Sequence, residues 1–202
     1  QAGINPYRYA PCDETVAWLR DESWSKVNHK DIPTIYPPLM QLAFRIGVWL
    51  GPTVLMQKWL FVLCDAAIIW LLLLMLRRTG RNPLLSLIYA WHPLVIVEVA
   101  GSGHNDPLGV VWLCSGLALW TARRRLTGTL AFALAFLSKF TTVLLWPFFA
   151  VHAKRLLLVF FAMVAVGSAW CWGSPHLTSG LGHYTRHWEF NSSLYSLILM
   201  AL

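Results

Sequence analysis

The feature that most constrains this chain is a run of twenty residues, Gln57 to Leu76, almost wholly apolar and followed at once by Arg77, Arg78 and Arg81. Twenty helical residues rise about 30 Å, the thickness of a bilayer's hydrocarbon core. Lipid offers the backbone no hydrogen-bond partner, so a chain that crosses it must satisfy its peptide groups internally, most simply as helix. Further apolar blocks follow at 83–100, 107–122, 127–150 and 156–172, and another begins near Leu194. The composition agrees. Hydrophobic residues make up 57% and charged residues 12% of the 202, against roughly 45–50% and about 25% in soluble domains. Mean hydropathy is +0.54. The expected fold class is therefore all-α, a polytopic transmembrane helical bundle.

The net charge of +7 does not point to nucleic acid, because the basic residues sit in short clusters between apolar blocks. The clusters at 77–81, 123–125 and 154–155 hold eight basic and no acidic residues, the pattern of cytoplasmic loops. The 12 Trp and 6 Tyr suit interfacial anchoring. Cys12, Cys64, Cys114 and Cys171 show no CxxC spacing, and neither a metal site nor a disulfide framework is expected. No cofactor is expected, and nothing indicates a divalent metal. The chain opens on Gln1 without a signal sequence and ends at Leu202 inside an apolar run, so it is expected to be a piece of a longer protein.

Residues 1–36 carry five of the nine acidic residues together with Pro, Asn and Tyr. They read as an aqueous loop with a short helix over Glu14–Trp24. Residues 37–56 are apolar but contain Arg45 and Gly51-Pro52. An Arg at mid-depth is costly, so this block is expected to lie at the interface. The expected division is thus an outer loop with an interfacial helix at 1–56 and a bundle at 57–202.

With the first two basic clusters inside, loops 1–56 and 101–106 face outward. The block 127–150, with Lys139 at its centre, then has two readings. A single crossing puts Lys154 and Arg155 outside. A re-entrant hairpin turning near Lys139 puts all three clusters inside, and is preferred. It also accounts for a mid-block lysine, since broken backbone and buried charge are tolerated where they line a cavity.

Polar residues then converge on the outer side. Tyr36 and His29 come from the first loop, and His104, Asn105 and Asp106 from the turn after Gly101. His176, His183, Arg186, His187 and Glu189 come from the loop 173–193. Glu98 lies at the outer end of its span, and Lys139 approaches from within the membrane. Acids, imidazoles and cations at a lipid–water boundary suit chemistry on a lipid-linked polar substrate. Plainer readings stand beside this one. Asp106-Pro107 is also a good helix start, and Asp65, in mid-span, can simply bond a polar group on a neighbouring helix. Trp91-His92-Pro93 reads as a kinked packing element. No phosphate-binding Gly loop, HExxH helix or Gly-x-Ser-x-Gly elbow occurs.

Several segments taken in order resemble the GT-C membrane glycosyltransferases. They are Gly3-Ile-Asn-Pro-Tyr7, Val27-Asn-His29, Pro33-Thr-Ile-Tyr-Pro-Pro38, Tyr89-Ala-Trp-His-Pro-Leu94 with Glu98, Gly101-Ser-Gly-His-Asn-Asp106, Leu137-Ser-Lys139 and Trp188-Glu-Phe-Asn191. The nearest set is bacterial glycosyltransferase family 87 and related polyprenyl-phosphate-mannose-dependent mannosyltransferases. The resemblance implies a GT-C-like bundle in the bacterial plasma membrane and transfer of a sugar, mannose first, from a polyprenyl-phosphate-linked donor. The acceptor would be an envelope glycolipid or glycan at the outer face. It also implies a catalytic acid early in the first outer loop, at a position that falls before Gln1. The catalytic residue is therefore unassigned, and the fragment alone is expected to be inactive. His104, Asn105, Asp106, Lys139, Tyr36, Arg186 and Glu98 are the expected substrate-binding residues. A transporter or lipid flippase is the alternative, with Asp65, Glu98 and Lys139 along its path, and a scaffold without a small-molecule site is a third.

Overall fold

The structure is a computed structural model that describes residues 3–145 and 154–172 and positions 174, 182 and 200. The described residues are helical, with no strand among them. The chain divides into two compact units: one is Tyr36–Trp170 together with Gln1, and the other is Ala2–Ile35 with Cys171–Leu202.

In the larger unit, α1 (Pro38–Leu50) begins on a proline, whose fixed φ suits the first helical position. Met40, Ala43 and Gly47 are buried on one face, while Arg45 is exposed on the other. Its thirteen residues rise about 20 Å, short of a bilayer core. Thr53 caps the next helix, α2 (Val54–Arg78), accepting from the Met56 N–H at 3.2 Å. The Gln57 side chain reaches back from α2 to the Phe44 carbonyl at 3.0 Å, through space that Gly47 leaves open. Met40 and Phe61, with Val99 further on, form one core, and Phe44 and Leu108 pack around it.

Helix α2 has 25 residues, with Arg77 and Arg78 in its last turn. It and the stretch Lys154–Cys171 are long and apolar enough to cross a membrane. A third crossing exists if α3 (Pro83–Ala90) and α4 (Pro93–Ser102), bent by 52° to one another, are one span. The bend falls at Trp91-His92, where Pro93 lacks an N–H and holds His92 in extended backbone. The stretch expected as one span, 83–100, is therefore bent in its middle. Its second half widens to π-helix over Ile96–Ser102.

Helices α5 (Asp106–Thr121) and α6 (Arg125–Ser138) form a tight hairpin. Small residues let the backbones close. Gly116 lies against the Phe132 ring, and Gly128 lies against Trp120 and the Gly116 carbonyl, the packing typical where lipid provides no hydrophobic drive. α7 (Lys154–Ser168) adds Phe160 to Phe132 and Ala133 in a second core. The expected span 107–122 appears as α5, but its sixteen residues rise only about 24 Å. The block that opens at 127 breaks at Lys139, which is extended (φ −156°, ψ 131°) between α6 and a 3-10 turn at Phe140–Leu145. Residues 146–153, where a re-entrant hairpin would complete its return, lie outside the described residues.

In the other unit, the helix expected over Glu14–Trp24 is two 3-10 turns, Glu14–Leu19 and Glu22–Lys26. Asp21 divides them. Its carboxylate accepts from the Ser23 N–H at 2.9 Å and starts the second turn afresh. The Ser23 hydroxyl and N–H also hold the Asp21 carboxyl below its ordinary pKa. Trp24 receives Arg20 at 4.6 Å and Lys30 at 5.0 Å from its ring. Asn5 closes a small turn by accepting from the Tyr7 N–H at 2.9 Å and donates to the Ser174 hydroxyl at 3.1 Å. Tyr7 is buried beside Cys171.

Candidate functional site

The site forms where α4 ends and α5 begins. Gly103 adopts a left-handed backbone (φ 78°), the conformation glycine takes without strain just past a helix end. The Gly103 N–H donates to the Val99 carbonyl at 3.1 Å and the His104 N–H to the Glu98 carbonyl at 2.8 Å. These bonds turn the chain sharply and set His104 back over Glu98. Its Nε2 lies 2.9 Å from Glu98 Oε2. π-Helical turns such as the one carrying Glu98 recur at functional sites.

Asn105 then occupies the cap position of α5 with no side-chain cap bond, and Asp106 is the first helical residue. The Asp106 carboxylate does not cap the helix. One oxygen pairs with the Lys139 ammonium, and the other faces His104 Nδ1 at 3.8 Å. Lys139 reaches it from the end of α6. Ser138 is the last helical residue, the Lys139 N–H closes the helix on the Ala135 carbonyl at 2.9 Å, and the Lys139 stem lies beside Gly109, one turn into α5. The result is an unbroken alternation of acid and base, Glu98–His104–Asp106–Lys139. Side-chain exposures between 39% and 57% leave all four approachable by a ligand.

Of the residues expected at the site, Glu98, His104, Asp106 and Lys139 are thus brought together, and Asn105 lies in the turn between them. Tyr36 packs its ring edge-on against Phe44, with centroids 5.2 Å apart. Arg186, with His176, His183, His187 and Glu189, lies outside the described residues. Asp65 accepts a 2.7 Å hydrogen bond from the Tyr89 hydroxyl, the neighbouring-helix partner expected of a mid-span acid. Among the described residues no group of three or more His, Cys, Asp and Glu is arranged to hold a metal ion.

Lys58 is the residue that the sequence reading passed over. From the first turns of α2 its ammonium donates to the Gly101 carbonyl, and its stem lies against Gly103. It therefore secures the end of α4 from which His104 departs. A positive charge is favourable there, at the negative end of a helix.

The Arg123–Arg125 cluster sits just past the opposite end of the sixteen-residue α5. Alternating charge thus gathers at one end of the hairpin and bare positive charge at the other. No curated protein and no solved structure matches the chain. A family model described as the N-terminal domain of alpha-(1->6)-mannopyranosyltransferases, MptA_B family, matches residues 1–155, and the glycosyltransferase resemblance carried by the Asn-Pro-Tyr, His-Asn-Asp and Ser-Lys segments is borne out: the chain belongs to this mannosyltransferase family.

Proposed function

We propose that the chain is the donor-handling part of a multi-pass GT-C mannosyltransferase of a bacterial plasma membrane. In this reading it takes mannose from a polyprenyl-phosphate-linked donor and passes it to an envelope glycolipid or glycan at the outer face. The observation that carries the reading is the Glu98–His104–Asp106–Lys139 cluster, at the end of the bundle away from Arg77–Arg81 and Arg123–Arg125. Basic clusters favour the cytoplasmic side, which leaves the cluster outside.

The chemistry fits these groups. As the bond from the sugar to the phosphate breaks, negative charge grows on the lipid phosphate, and a fixed cation lowers that barrier. Lys139 supplies the cation. His104, oriented by Glu98, lies within reach of sugar hydroxyls or of a phosphate oxygen. Family membership favours the enzyme over the transporter or flippase alternative, and the Asp65 carboxylate, which a transport path would use, is already engaged by Tyr89.

The test is transfer from a polyprenyl phosphomannose to a mannoside acceptor by the whole protein in nanodiscs. His104→Ala and Lys139→Ala are each expected to lower kcat/KM by about 100-fold, in the range seen when one electrostatic donor is removed. Transfer at the unsubstituted rate in both variants overturns the site assignment.

A further inference from the structure

Lys139 is the natural seat for a phosphate, yet its ammonium is already paired with Asp106. Asp106 in turn has a second basic neighbour. Its other oxygen lies 3.8 Å from His104 Nδ1, just outside hydrogen-bond distance, while His104 Nε2 is held on Glu98 at 2.9 Å. A small rotation of the Asp106 side chain exchanges one partner for the other. A protonated imidazole donates from both nitrogens, so it serves Glu98 and Asp106 together.

We propose that Asp106 is a placeholder anion. It occupies Lys139 in the empty site, yields Lys139 to the phosphodiester of a lipid-linked sugar, and passes to His104 when the substrate enters. The proposal rests on the donor-handling reading above. The exchange balances when His104 takes up one proton from water as Asp106 arrives: the phosphodiester brings one negative charge to Lys139, as the carboxylate did, and the imidazolium supplies the displaced carboxylate with a cation. The ammonium is never left without an anion and the carboxylate is never left without a cation, so neither state carries the cost of an unpaired charge in a partly desolvated site. The hand-off also gives product a way out. The phosphate left after transfer gains a second ionisable oxygen and would hold Lys139 more tightly, and the returning Asp106 competes with it.

The geometry sets a test on the whole protein in nanodiscs, with binding of a short-chain isoprenyl phosphomannose read by titration. Affinity is reduced by the fraction of sites in which Lys139 is taken, so Asp106→Asn is expected to tighten binding about tenfold. The thermodynamic cycle with His104→Gln separates a hand-off from simple loss of a repelling charge. His104→Gln is expected to weaken binding about fivefold more when Asp106 is present than in the Asp106→Asn background, where only the contact of His104 with the substrate is lost. Unchanged or weaker binding in folded Asp106→Asn overturns the exchange, as does an equal effect of His104→Gln in both backgrounds.

Should Asp106→Asn fail to fold, Asp106→Ser gives the same comparison. Infrared difference spectra of the unsubstituted protein give a second reading: no change in the aspartate carboxylate bands on adding ligand overturns the exchange. If the unsubstituted protein neither binds nor transfers from the phosphomannose, the functional reading itself falls. If it does both and the cycle shows no coupling, only the exchange falls. Competition by inorganic phosphate as strong as by the isoprenyl phosphate makes free phosphate the ligand and overturns the lipid-linked assignment.

Discussion

Lys58 shows how much a single side chain can set at a helix end. A hydrogen bond between a charged group and a carbonyl is worth about 1.5–3 kcal/mol, and this one fixes Gly101, three residues before His104. Lys58→Met is expected to lower kcat/KM for mannosyl transfer about tenfold, and Lys58→Arg, which keeps the charge and a donor, is expected to recover most of it. An undiminished rate in Lys58→Met, measured in the same assay, would mean that the stem and not the ammonium matters. Tyr7 makes a prediction about pH. Burial, then the neighbouring Cys171, push its phenol well above the ordinary value of 10.0. Folding therefore keeps a proton that the unfolded chain gives up. The sign follows: the contribution of Tyr7 is fully present below about pH 10 and is lost progressively as pH rises above it. Tyr7→Phe is expected to flatten the alkaline limb of the stability–pH curve measured by thermal unfolding.

Three helix ends close in the same way, with a left-handed residue just past the helix: Gly80 after α2, Gly103 after α4 and Arg123 after α5. In each the next residue's N–H reaches back into the last turn, five positions from Arg81 to Leu76 and from Arg124 to Leu119 and six from His104 to Glu98. Only Arg123 has a Cβ to accommodate, at φ 64°. Arg123→Gly is expected to stabilise the fold by about 0.5–1 kcal/mol, read as a rise in Tm. Gly116→Leu is expected to lower Tm, at a cost of at least about 1–3 kcal/mol, because any side chain there is driven into Phe132. These ends also show what the sequence makes legible. Gly101-Ser-Gly-His and the arginines after Leu76 and Thr121 announce helix ends through glycine and charge, and Pro93 announces the bend. The break at Lys139 is legible because a lysine in the middle of an apolar block has to find an anion. The identity of that anion is not legible, since Asp106 reads equally well as a helix cap until α5 and α6 are seen to pair. Lys58 is hidden for a related reason: its partner is a backbone carbonyl 43 residues away, and no side-chain pattern encodes that. The double 3-10 turn at Glu14–Lys26 is hidden because a second capping aspartate inside a short helix competes with its continuation.

For the molecule as a whole, the proposed topology puts the basic clusters on one side of the membrane and the Glu98–Lys139 cluster on the other. Single cysteines replacing Ser102 and Thr127 in a background free of other cysteines are expected to label from opposite sides with a membrane-impermeant maleimide, position 102 from outside. Labelling of both from one side would refute the topology. The helix lengths carry a further consequence. α2 is about 37 Å long and the α5–α6 hairpin only about 21–24 Å, so on the proposed multi-pass topology the two cannot match the same slab of lipid. A long helix tilts and a short one draws the bilayer thin around it, each at a fraction of a kcal/mol per Å of mismatch. The outer leaflet should therefore pucker inward above the hairpin, lowering the water surface toward Asp106 and Lys139 and shortening the distance a lipid headgroup must travel to meet them. Membrane thickness then becomes a variable of the enzyme, and lengthening the acyl chains of the host bilayer should slow it without any change to the protein.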